Sequence, residues 1–79
     1  MIDQQNIIIE AIAKHMGVAP QDIDPEANLF EDLGIGPIEM SDLVGFLSNR
    51  FDITINPVDI EGLETVGDLI ALVEDSLLE

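Results

Sequence analysis

Three observations predict an all-α fold: a bundle of three main helices plus one short helix, with a long loop between the first two. Apolar residues recur at helical spacing in three separate stretches of the 79-residue chain. Helix punctuation bounds these stretches, at Gly17, at Gly36-Pro37 and at Thr65-Val66-Gly67-Asp68. The one run that alternates like a strand, residues 52–56, has no second run to pair with.

Residues 3–16 are predicted as the first helix. Ile8, Ala11 and Ile12, with His15 or Met16, share one face of a 3.6-residue period. Asp3 is placed to cap or charge the N-terminal end. Lys14 and His15 fall in the last turn, where the helix dipole favours cations, and Gly17 ends the helix. Ile7 and Ile9 lie off the stripe, either as packing at the edges of the bundle or as an apolar patch for a partner. Residues 17–36 then read as a loop anchored by Val18, Ile23, Leu29, Phe30 and Leu33 and stiffened by Pro20 and Pro25. A loop of this length is usually functional or held by such contacts.

The second helix is expected from Pro37 to near Arg50. Proline is favoured at the first helical position, and Gly36 is an acceptable cap. Ile38, Leu43, Val44, Leu47 and Phe51 are assigned to its buried stripe. Glu39, Ser41, Asp42, Phe46 and Asn49 are assigned outward positions. Gly45 weakens the helix by about 1 kcal/mol relative to alanine. Residues 52–56 are read as an extended connector and residues 57–62 as a short third helix with Val58, Ile60 and Leu63 inward. Thr65 and Asp68 have the spacing of a capping box, with Asp in place of Glu. The last helix, residues 66–77, would bury Val66, Leu69, Ile70, Val73 and Leu77.

This length suits one small domain spanning residues 1–79, with a modest core. With no cysteine, thiol catalysis, thiolate metal sites and disulfides are excluded. No apolar run is long enough to span a membrane. The N-terminal MIDQQN lacks the basic region of a signal peptide, so a cytoplasmic setting and a monomer are expected. Seventeen Asp and Glu face only Lys14 and Arg50, a net charge of −15. That charge disfavours nucleic acid and anionic membrane and favours cationic protein surfaces. Hydrophobic residues make up 47% of the chain and recur at helical spacing, which argues against an acidic disordered segment. Three phenylalanines are the only aromatic residues and leave no platform for stacking bases.

Candidate chemistry is sparse. Asp22, Asp24, Glu26 and Asn28 alternate like a calcium loop, but Ala27 and Leu33 stand where the turn glycine and the bidentate glutamate belong. His15, the only histidine, has no nucleophile and orienting acid at a recognisable spacing. Glu31-Asp32 reads as a solvated loop face. No residue set supports a free-standing enzyme.

Four segments, taken together and in order, give the chain a family likeness. They are Met16-Gly17-Val18, Leu29-Phe30-Glu31-Asp32-Leu33-Gly34, Phe51-Asp52-Ile53-Thr54-Ile55 and Thr65-Val66-Gly67-Asp68. On these the chain resembles the acyl carrier proteins over nearly its whole length, without gaps. The resemblance implies a non-enzymatic carrier. In that family a serine in an Asp-Ser-Leu motif bears 4'-phosphopantetheine, whose thiol holds an acyl chain as a thioester. Here that motif is replaced by Gly36-Pro37-Ile38, followed by Glu39. Pro37 has no hydroxyl and cannot carry the arm.

Ser41 is the nearest hydroxyl, four residues on and about 6 Å further along a helix axis. Two readings follow. Ser41 is a displaced attachment site, and the protein is a specialised carrier of fatty-acid, lipid or polyketide metabolism. Alternatively, it is a non-carrying interaction or regulatory module. The resemblance implies docking of basic surfaces of acyl-transfer or synthase enzymes, and of a phosphopantetheinyl transferase, on Glu39, Asp42 and Phe46. Ser48, Asn49 and Arg50 stand at positions that are often acidic in the family, which implies a narrower partner set. Leu29, Phe30, Leu47, Ile55, Ile60 and Leu63 match positions around the family's acyl cavity, and plain core is the other reading of them.

Overall fold

The computed structural model describes residues 4–78. Four α-helices are observed: α1 Gln4–Met16, α2 Pro37–Phe51, α3 Pro57–Glu61 and α4 Val66–Leu77. The expected all-α bundle is therefore found, and no strand occurs among the described residues. Residues 52–56 form no ladder and serve as the connector expected of them. Asp3 lies outside the described residues, so its capping role falls there too.

Each helix ends where local chemistry stops it. After α1, Gly17 takes φ +77, and the Val18 N–H bonds back to the Ala13 carbonyl at 3.0 Å. Glycine adopts this left-handed conformation without steric cost. α2 runs one residue past Arg50 and is capped by Asp52 at φ 53, a conformation that aspartate tolerates better than most residues. α4 begins with a complete capping box: the Thr65 side chain accepts from the Asp68 N–H at 3.1 Å, and Asp68 accepts from the Thr65 N–H at 3.1 Å.

The core is apolar throughout. Ile8, Ile12, Leu29, Leu43, Leu47, Val66, Leu69, Ile70 and Val73 are fully buried, and no polar or charged residue is buried among the described residues. α1 contributes Ile8, Ala11 and Ile12 as expected, and also Ala13. Ile9 packs on the core from its edge, and Ile7 is half-buried. Leu77 is half-buried, where full burial was expected.

Further assignments of burial are corrected. Ile38, expected inside, is 79% exposed, and Met40 is buried in its place at 2%. The true stripe is Met40, Leu43, Val44, Leu47 and Phe51, whose spacings of three and four keep one face. Ile38 precedes Leu43 by five residues and so points away from it. Val58, expected inside, is 75% exposed. α3 is too short for its apolar residues to define a face, and the inward positions go to Ile60 and Leu63. Among the loop anchors, Phe30 and Val18 are each 42% exposed, while Ile35 is buried.

The long loop has its own internal order. A 3-10 turn at Pro20–Asp22 was not foreseen. Past it, the side chains of Asp24, Asn28 and Asp32 accept backbone N–H groups. Asp24 Oδ1 accepts from Glu26 at 2.9 Å, Asn28 Oδ1 from Phe30 and Glu31 at 2.8 and 2.9 Å, and Asp32 Oδ2 from Asn28 at 2.7 Å. These bonds fold residues 28–33 into one helix-like turn that aims the chain at α2.

The loop is latched to α4. The Leu29 N–H donates to the Glu64 carbonyl at 2.8 Å, Val66 to Ala27 at 3.0 Å and Gly67 to Pro25 at 2.8 Å. A Cβ at position 67 would sit 3.1 Å from the Pro25 carbonyl oxygen, so a larger residue there requires the latch to give by a few tenths of an ångström.

Candidate docking face at the start of the second helix

Pro37, Glu39, Ser41 and Asp42 lie in the first two turns of α2. Gly34 at φ +67 turns the chain, and the Ile35 N–H bonds to the Leu29 carbonyl at 3.1 Å, which fixes the approach. Gly36 is the N-cap in extended conformation, and its carbonyl accepts the first helical bond from the Met40 N–H at 2.8 Å. Pro37 occupies the first helical position, where its missing N–H removes a donor that the helix cannot satisfy internally. Pro37 is exposed, as are Ile38, Glu39, Ser41 and Asp42.

Glu39 lies in the first turn, the end of the helix dipole that favours an anion. Its Oε1 reaches within 3.7 Å of where a Cβ on Gly36 would stand, so the carboxylate folds back over the helix start. Asp42 follows on the next turn. Exposed Ile38, next to Glu39 in the chain and one turn before Asp42, sets an apolar group beside the two acids. Phe46, expected to point outward, is half-buried, and its ring lies 5.1 Å from the His15 imidazole in a tilted contact. Only one edge of Phe46 is therefore available to a partner.

Ser41 sits one turn beyond Pro37 with an exposed hydroxyl that has no hydrogen-bond partner among the described residues. Beside the helix start, a cleft of ≈ 200 Å³ is lined by His15, Met16, Leu33, Ile35, Glu39 and Leu43. None of these is among the six cavity candidates. Of those six, Leu29, Leu47 and Leu63 are core, and Ile55 and Ile60 pack against the same core from partly buried positions. Phe30 is exposed and stands apart from them.

Asp68 lies in the first turn of α4. The backbone N–H of Thr65, then that of Glu64, holds its carboxyl below the usual carboxylate range. It belongs to the α4 cap and not to the α2 face. No helix among the described residues is long and apolar enough to cross a membrane.

Sequence reasoning missed Ile38 as a surface group. The signal was present: Ile38 does not share the three- and four-residue spacing of the stripe it was assigned to.

Comparison with known proteins bears on this geometry. Residues 6–73 match the family described as "Phosphopantetheine attachment site". An acyl carrier protein of an Exiguobacterium species is 40% identical over 68 residues, covering 86% of each chain. One from Thermotoga maritima is 32% identical over 66 residues, covering 84% of this chain and 82% of the relative. The crystal structure of a Thermotoga maritima acyl carrier protein superposes with a TM-score of 0.75 at 30% identity, covering 91% of this chain and 84% of that one.

The prosthetic group of that family is 4'-phosphopantetheine, held through a serine oxygen. The first turn of α2 does not fit it, since Pro37 offers no nucleophilic atom. The nearest hydroxyl along the helix is that of Ser41, exposed on the second turn.

Proposed function

The chain belongs to the acyl carrier protein family, and from that premise we propose that it presents an acyl chain to acyl-transfer or synthase enzymes of fatty-acid, lipid or polyketide metabolism. The exposed Glu39 and Asp42, with exposed Ile38 beside them at the start of α2, carry this reading. Carboxylates in such an arrangement steer Arg- and Lys-rich surfaces, and an apolar group among them gives the encounter something to bury. The arm is assigned to Ser41. When bound, it supplies a thiol that holds the acyl group as a thioester, and this chain contributes an oxygen to anchor it and an acidic face to recruit enzymes. The protein itself is a carrier and not an enzyme.

Pro37 favours a second reading, a docking or regulatory module that binds the same enzymes without an arm. One experiment separates the two. Incubation with coenzyme A and a broad-specificity phosphopantetheinyl transferase, followed by intact-mass and peptide mass spectrometry, is expected to add one arm at Ser41 and none in Ser41→Ala. An unchanged mass removes the carrier reading and leaves the module. The module is then tested by binding to partner enzymes, which must weaken in Glu39→Lys and Asp42→Lys and persist in Ser41→Ala.

A further inference from the structure

Lys14 and Arg50 are the only strong cations in a chain with 17 carboxylates. They lie far apart in sequence, one in the last turn of α1 and the other in the last turn of α2. The fold brings both to one groove of ≈ 210 Å³ between those helices, completed by Ile7, Glu10, Ala11 and Phe46. In so acidic a chain each cation has many carboxylates to choose from, yet neither forms an ion pair among the described residues. The Arg50 guanidinium lies 5.4 Å from the Phe51 ring centroid, which leaves its donor edge open. His15, stacked on Phe46, brings the one remaining basic side chain to the same region.

At about 100° per residue, Glu39, Phe46 and Arg50 fall on one edge of α2. Over roughly 16 Å that edge passes from anionic through aromatic to cationic.

We infer that the α1–α2 groove is a second docking element, which takes an acidic, apolar segment of a partner protein. A carboxylate of that segment pairs with Arg50 and Lys14, and an apolar side chain rests on the half-buried Ile7 and Phe46. The inference rests on the docking role proposed above and adds the polarity of the partner. Charge complementarity selects the occupant. Glu10 leaves the groove with a net single positive charge, enough for one or two carboxylates. A nucleic acid or an anionic bilayer would bring an extended negative field against a net charge of −15 and be repelled. Arginine also suits a carboxylate through its two-pronged donor geometry. A partner with basic groups opposite Glu39 and Asp42 and an acid opposite Arg50 docks in one direction only, since reversal sets like charges together.

The test is an NMR titration of the ¹⁵N-labelled full chain with two blocked helical peptides sharing one leucine face. One carries glutamates on its polar face and the other carries lysines. The glutamate peptide is expected to shift the amides of Lys14, Phe46 and Arg50, and Lys14→Glu with Arg50→Glu is expected to weaken it at least about tenfold. The milder Lys14→Gln, Arg50→Gln pair guards against loss of folding and should weaken it in the same direction. The absence of groove shifts, or shifts that survive the double reversal, overturns the inference. So do groove shifts that grow with protein concentration alone, which would assign the groove to a second copy. The lysine peptide reads the acidic face separately: its failure to shift Glu39 and Asp42 counts against the docking role, whatever the groove does.

Discussion

Asp68 shows how one side chain ties two segments of the fold together. Its carboxylate accepts from Thr65 and Glu64 at 3.1 Å each, at the point where the loop meets α4. Those N–H groups lower its pKa. A depressed carboxylate contributes stability above its unfolded value, about 4, and loses it as the pH falls through the lower folded value. Asp68→Asn lacks the charge at every pH. The difference in thermal midpoint between the parent chain and Asp68→Asn should therefore be widest above about pH 5 and close toward pH 3. A difference that stays constant over that range would show that the charge is irrelevant to the cap.

Within α2, Met40 and Ile38 divide structure from surface. Met40→Ala should cost about 2–4 kcal/mol in urea unfolding, because it opens a hole in a closed core. Ile38→Ala should stay within about 0.5 kcal/mol while weakening partner binding. A large stability loss for Ile38→Ala would contradict its exposed placement. The helix ends were readable from sequence because they rest on local rules: Gly17 permits a positive φ, Pro37 suits a first turn, and Thr65 with Asp68 closes a cap. The assignment of Ile38 failed because hydrophobicity was weighed without its angle around the helix. Val58 failed for a different reason, since a helix of one turn has no period to read. Burial of Ile35 and the latch to α4 were illegible, because both depend on segments that meet only in the folded chain. The groove holding Lys14 and Arg50 was hidden for the same reason.

For the molecule as a whole, the net charge of −15 sets two opposed responses to salt. Self-repulsion destabilises the compact state, and screening relieves it. Screening also weakens attraction to basic partners. Raising ionic strength from about 0.01 M to about 0.5 M, where the Debye length falls from roughly 30 Å to a few ångströms, should raise the thermal midpoint and lower partner affinity in the same samples. A midpoint that falls with salt would show that self-repulsion does not govern the stability of the fold. The bundle architecture was legible at this scale because three amphipathic stripes and an unpartnered alternating run leave few alternatives.

The way α2 is started has a consequence for substitution at position 37. Its position is set by backbone groups: the Gly36 carbonyl, the turn at residues 28–33 and the bonds from Ala27 and Leu29 to the start of α4. The exposed side chain at position 37 takes no part in that framework. Pro37→Ser should therefore leave the bundle folded, at a cost of no more than about 1 kcal/mol from the lost rigidity of the proline. A single substitution at position 37 would thus restore a hydroxyl at the family's usual anchor point, with the framework that positions it already in place.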